Sequence, residues 1–98
     1  MKKKSVVDSI PFYKAITSKT GKIGGVWQVD KGYVKCYKEP VLSLYGVSYV
    51  RNPAVFTVLD RREKGWYAVH VVGETSIDWI NVQEDKHILE VVSLKKLA

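Results

Sequence analysis

The sequence holds a single cysteine, Cys36, so it can form no internal disulfide. The same count excludes a zinc site built from cysteine clusters. Cys36 is therefore expected to behave as a small buried apolar residue. Histidine is almost as scarce, with only His70 and His87. A Cys36–His70 pair is the one formal route to a thiolate nucleophile, and nothing in the spacing supports it. The glycine-rich stretch GKIGG lacks the Gly-Lys-Ser/Thr ending of a phosphate-cradling loop. Glu39, Glu63, Glu74 and Glu84 all fall in expected turns, where carboxylates are usually just solvated. The expectation is a chain that is not an enzyme and carries no metal or cofactor.

Long apolar runs are missing too, and a membrane-spanning helix needs roughly 18 such residues or more. The first residues, MKKKSVVDSIPFYK, start basic, but Asp8, Pro11 and Lys14 interrupt any apolar stretch. A secretory signal is not expected there. The protein is thus expected to be cytoplasmic when synthesised and not a membrane partner. It would act at a cell wall only after lysis or as part of a virion.

What remains is one domain's worth of chain: 98 residues, 46% hydrophobic and 27% charged. Aromatics stand out at 11%, with six Tyr and three Trp. The net charge is +6, and its distribution is uneven. Residues 1–38 hold nine Lys and two Asp, whereas residues 39–98 hold seven Lys/Arg and eight Asp/Glu. The basic excess belongs to the N-terminal part. Residues 1–25 read as a basic extension, and a solvated tail is the simplest account of its charge.

From residue 26 onward the pattern is that of a β protein. VWQVDKGYVKCYKEP reads as two short strands around a turn at Asp30-Lys31-Gly32, with Pro40 closing the second. VLSLYGVSYVRNP (41–53) reads as an ordered loop packing partly on the core. VFTVL is a strand, DRREKG a charged turn, WYAVHVV its antiparallel partner, and IDWINV a further strand after the turn VGETS. Residues 87–97 stay open between strand and helix, with β-branched content favouring strand. Five to seven short antiparallel strands in one chain of this length predict an all-β fold, a small barrel or sandwich.

In WYAVHVV alternate residues face opposite sides. Tyr67, Val69 and Val71 form the more apolar set and are assigned to the core. Trp66 and His70 then lie on the other face. Ile80 and Val82 look like core, which puts Trp79 on the side of Trp66. An amphipathic platform of Trp66, His70 and Trp79, extended by Tyr37, Tyr45 and Tyr49, suits an extended peptide or stacked bases. On this reading Trp66→Ala and Tyr49→Ala weaken ligand binding and leave the fold mostly intact.

GWYAV, a short turn and DWINV together resemble the second half of bacterial SH3-like domains. YVKCYKEP, VLSLYGVSYVRNP and AVFTVLDRREKGW fill the preceding places in order, so the resemblance covers residues 33–85. It departs at Asp78, where glycine is usual. The resemblance implies a five-stranded SH3-like barrel over residues 26–98 with no catalytic machinery. It carries over Gly65, Trp66, Tyr67, Val69 and Trp79. It also implies a targeting module for cell-wall peptides or a protein-interaction module. A small phage- or bacterium-encoded protein that docks on a folded partner is the alternative. Nucleic-acid binding through Lys14, Lys19, Lys22, Arg61 and Arg62 is a minor third. The oligomeric state is open.

Overall fold

A computed structural model describes residues 9–12 and 25–97. Lys14, Lys19 and Lys22, named above as possible phosphate contacts, lie outside the described residues. The chain is mostly β. Eight strands are described: β1 Ser9–Pro11, β2 Val26–Lys31, β3 Tyr33–Cys36, β4 Ser48–Arg51, β5 Val55–Arg62, β6 Trp66–Val71, β7 Asp78–Asn81 and β8 Ser93–Lys96. A 3-10 turn, Glu63–Gly65, joins β5 to β6, and a short helix, α1 Lys86–Leu89, precedes β8.

Six strands form one sheet in the order β1-β8-β2-β5-β6-β7, and β3 and β4 form a separate hairpin. Every neighbouring pair is antiparallel. The hairpin is tied to the β7 edge by a single bridge. Tyr37 and Trp79 exchange both backbone hydrogen bonds there, each at 2.7 Å. The hairpin's other end is tied to β2, where the Asn52 side-chain amide donates to the Asp30 carbonyl at 2.9 Å.

The period-2 reading of β6 holds. Val58 faces Val69 and Phe56 faces Val71 across the β5–β6 ladder, and all four are buried. Tyr67 faces Ile80 across the β6–β7 ladder. These residues form one core with Val29, Val34, Cys36, Val50, Leu89, Val92 and Leu94. Val82 joins it, as its sequence position implied.

Three local readings change. Residues 41–53 are not simply a loop, because Ser48–Arg51 pairs with β3 in register Lys35↔Tyr49. Val50 alone of that segment is buried, while Val41, Leu42, Leu44 and Tyr45 stand in solvent. Their apolar character suggested packing that the backbone does not deliver. The 3-10 turn is shorter than the charged stretch DRREKG, because β5 runs through Arg62. A bulge between Val58 and Asp60 lets β5 extend while its apolar alternation stops. Residues 87–97 divide between helix and strand. Leu89 and Val92 anchor the helical turn in the core before Leu94 takes the strand period.

The N-terminal segment contributes more than charge. Ser9, Ile10 and Pro11 pair with Lys95, Leu94 and Ser93. The Phe12 amide donates to the Val92 carbonyl at 2.6 Å, and its ring is wholly buried.

Candidate functional site

The faces assigned to the aromatic residues are correct, but one open aromatic groove does not form. Ala68 lies opposite Trp79 and Trp66 opposite Asn81, so Trp66, His70 and Trp79 share the non-core face of the sheet. That face is covered. Trp66 is only 8% exposed and Tyr37 only 4%. The reason is the hairpin: its end carries Tyr37 across the β7 edge and sets its ring edge-on to Trp66, centroids 5.3 Å apart. Each indole and phenol thereby loses water to the other. Tyr37 is held in this pose by a hydrogen bond from its hydroxyl to the Asp85 carboxylate at 2.8 Å. Burial, and then that bond, raises the Tyr37 pKa.

Trp79 is half-buried beneath Arg62, whose guanidinium carbon stands 5.0 Å from the indole centroid. Arg62 also contacts Asp60 at 3.6 Å. His70 is half-buried, and its Nε2 meets the Glu74 carbonyl at 2.9 Å. Tyr49 packs edge-on against Tyr33 on the hairpin, centroids 5.4 Å apart. Tyr45 is 88% exposed at the loop tip and joins neither pair. The six expected ligand residues are therefore dispersed, with Tyr37 and Trp66 as packing partners rather than open platform.

What the arrangement does leave open is a cleft of about 760 Å³ lined by Pro40, by Arg61 and Arg62 at the end of β5, by Glu63 and Lys64 of the turn, and by Trp66. Its basic wall is rigidly placed. The Asn81 side chain accepts from the Gln83 and Glu84 amides at 2.9 and 2.8 Å and donates to the Lys64 carbonyl at 3.1 Å. The Val82 amide adds a bond to the Gly65 carbonyl at 2.9 Å. Gly65 has φ +82°, and a Cβ there would meet Gln83 Cγ at 2.7 Å. The glycine of the GWY motif is thus required for this stapled turn. Asn81, Asp85, Pro40 and Lys64 were not singled out as site residues from the sequence. The single available signal was Asn81 at the end of a strand, where a short amide commonly bonds backbone two residues on.

The Cys36–His70 pair does not form. Cys36 Sγ lies 3.9 Å from the Val34 carbonyl, and burial pushes its thiol pKa far up. Among the described residues no group of three or more His, Cys, Asp or Glu is placed to hold a metal ion. No described helix is long and apolar enough to cross a membrane.

Asp78, the departure from the motif, explains itself by position. It stands opposite Val69 on the core side of β7 and is buried. Burial first, then the Glu74 carboxylate and a hydrogen bond with it, hold the Asp78 carboxyl above the ordinary carboxylate range, against the pull of Lys38 and His70. A raised native pKa favours the protonated form. The associated stability is present at acid pH and is lost as pH rises through the native pKa. Asp78→Asn should therefore raise the melting temperature at pH about 7 and leave it nearly unchanged at pH about 3. Thermal melts at the two pH values check this. A lower melting temperature at neutral pH would mean that the carboxylate's attraction to Lys38 outweighs its burial.

No known protein family, no curated protein and no solved structure matches this chain.

Proposed function

We propose that the protein is a small SH3-like barrel acting as a non-catalytic binding module for an extended peptide. The ligand would be a cell-wall peptide or a segment of another protein. The cleft lined by Pro40, Arg61, Arg62, Glu63, Lys64 and Trp66 carries this reading. An extended chain needs an open trough with fixed walls and an apolar floor, because it buries little surface per residue and cannot bear a large ordering cost on the protein's side. Here both walls are fixed, one by the Asn81 staple and one by the Tyr37–Trp79 bridge.

The strand order supports the barrel. Five strands, β8-β2-β5-β6-β7, follow one another across the sheet. The β3–β4 hairpin, inserted between β2 and β5, folds back to the β7 edge. Trp66, Tyr67 and Val69 lie on β6 directly after the turn residue Gly65, and Trp79 lies on β7, an order compatible with the resemblance.

The apolar loop tip favours a second reading, docking on a folded partner. Leu44 is 91% exposed, beside exposed Val41, Leu42 and Tyr45. Contiguous exposure of this kind commonly marks a protein contact.

Co-sedimentation with purified bacterial cell walls, run beside binding to an array of linear peptides, tests the proposal. Pro40→Ala and Lys64→Glu alter the cleft without touching the core. Binding to walls or to a peptide, weakened about tenfold or more by these variants, is the expected result. Failure to bind either probe, or binding that ignores both variants, would overturn it.

A further inference from the structure

Tyr37, which packs on the cleft residue Trp66, follows directly on the β3–β4 hairpin, and the outer face of that hairpin has a pattern of its own. Tyr33 and Lys35 on β3, and Tyr37 one residue past its end, alternate along the chain, so they project from one side. Across the ladder Tyr33 lies opposite Arg51 and Lys35 opposite Tyr49, which places Tyr49 and Arg51 on that side too. The inward set is Val34, Cys36 and Val50, all buried. The outward set is therefore fixed by the core and cannot slip by one residue without exposing it.

Rings and cations interleave on this face. The Arg51 guanidinium carbon stands 5.9 Å from the Tyr33 ring, and Tyr33 meets Tyr49 edge-on at 5.4 Å. Lys35 Nζ stands 5.2 Å from the Tyr37 ring, which in turn meets Trp66 at 5.3 Å. Hydrogen bonding to Tyr37 raises the Lys35 pKa further, so Lys35 stays charged. Both exposed tyrosines and both cations are held upright by neighbours on the same face.

The charges are not used up internally. Among the described residues, no ion pair takes Lys35, Arg51, Arg61 or Lys64. Arg62 is engaged by Asp60. Glu63 lines the cleft with the basic residues. Asp85, the acid coupled to Lys35, is buried and already accepts from Tyr37. The ligand-facing charge from the cleft to the hairpin is thus predominantly positive.

We infer that the cleft and the hairpin face form one continuous track for an acidic extended peptide. Its carboxylates would meet Lys64, Arg61, Lys35 and Arg51, and its backbone and apolar atoms would lie on Trp66, Tyr49 and Tyr33. This rests on the peptide-binding reading above and names the ligand's charge and its path. From Tyr33 to Tyr37 the strand spans about 13 Å, which matches about four residues of an extended ligand. Along that span rings and cations alternate, Tyr33 beside Arg51 at one end, Lys35 beside Tyr49 in the middle and Tyr37 at the other end, a spacing that suits a peptide whose acids alternate with small residues. An alternating chain places every carboxylate on one side when extended.

Fluorescence anisotropy with three labelled peptides of roughly ten residues tests the inference: alternating Glu-Ser, Gln-Ser and Lys-Ser. Each is long enough to span the hairpin and the cleft together. The Glu-Ser peptide should bind the full chain about tenfold or more tighter than Gln-Ser, and Lys-Ser weakest of all. That preference should shrink between salt of about 20 mM and about 200 mM. The variants Lys35→Gln and Arg51→Gln lie on the solvent side of the hairpin. Each should lower Glu-Ser affinity about threefold to tenfold while leaving Gln-Ser affinity unchanged. Circular dichroism melts confirm that the variants fold.

Equal affinity for Glu-Ser and Gln-Ser would overturn the acidic track and leave the peptide cleft standing. Glu-Ser preference untouched by Lys35→Gln and Arg51→Gln would confine the ligand to the cleft and overturn the hairpin path. No binding of any peptide would bring down both readings. A labelled oligo-dT of similar length, bound tighter than Glu-Ser, would reassign the same rings and cations to a single nucleic-acid strand.

Discussion

Replacing Phe12 by alanine should cost about 3–5 kcal/mol of folding stability, the range for deleting a large aromatic from a core. Phe12 lies in the part of the chain that reads as a basic tail, yet none of its ring is exposed. It packs on Phe56, centroids 6.2 Å apart, and joins a core drawn from the sheet, the hairpin and α1. Its backbone is fixed by the bond to Val92, and the three residues before it are paired with β8. The site is therefore closed on both sides and has little room to collapse into the space a benzyl group leaves. A domain of this size holds roughly 5–15 kcal/mol in total, so the loss is a large fraction. Urea denaturation should show a much lower midpoint with the same slope, because the same surface is exposed on unfolding. A loss below about 1 kcal/mol would show that the N-terminal segment is an accessory to the domain rather than part of its core. Any shortened version of the protein intended for binding work must keep Phe12 for the same reason.

Why Phe12 escaped notice in the sequence is instructive. SVVDSIPFYK gives five apolar residues, a proline and two charges with no period, and a strand of three residues is too short to set one. Its pairing partner, β8, lies more than eighty residues away, and a single sequence carries no signal for a pairing at that distance. Where the period was long enough, the reading succeeded. Six residues of β6 alternate cleanly enough to separate Tyr67, Val69 and Val71 from Trp66 and His70, and the ladder registers agree. The same alternation carried Trp79 to the correct face.

Alternation reports a face, however, and not what covers it. The sequence gives no hint that Tyr37 crosses the β7 edge to sit on Trp66, because that depends on a hairpin fold and on one bridge between sheets. Nor does it show that Asp85 turns inward to receive the Tyr37 hydroxyl. The apolar letters of VLSLYG suggested burial for a physical reason that usually holds. They fail here because the loop runs out beyond the sheet, turning at Gly46, whose φ is +70°. The cleft was half legible: GW marked its floor and DRREKG its basic wall, while Pro40 and the Asn81 staple belong to tertiary structure alone.

Trp66 has two roles, as cleft floor and as packing partner of Tyr37, and the two can be separated. Read from the sequence alone, Trp66→Ala weakens ligand binding and leaves the fold mostly intact. With the indole 8% exposed, the alanine variant should instead lose about 3–5 kcal/mol of stability. Its partner Tyr37 would be left with a bare ring face, although the bond from its hydroxyl to Asp85 can persist. Trp66→Phe keeps a flat apolar ring against Tyr37 and should recover most of that loss, since near-conservative aromatic swaps leave a smaller void. The phenylalanine is smaller, however, and presents less ring surface to the cleft that Trp66 lines with Pro40 and Lys64. It also carries no N–H donor. Under the proposed function Trp66→Phe should therefore fold with nearly normal stability and bind the Glu-Ser peptide about tenfold more weakly. Denaturant melts and anisotropy on the same two variants decide between the roles. Full binding by a well-folded Trp66→Phe would mean that the indole serves only the packing against Tyr37, and that the ligand is held by the basic wall and the hairpin rings instead.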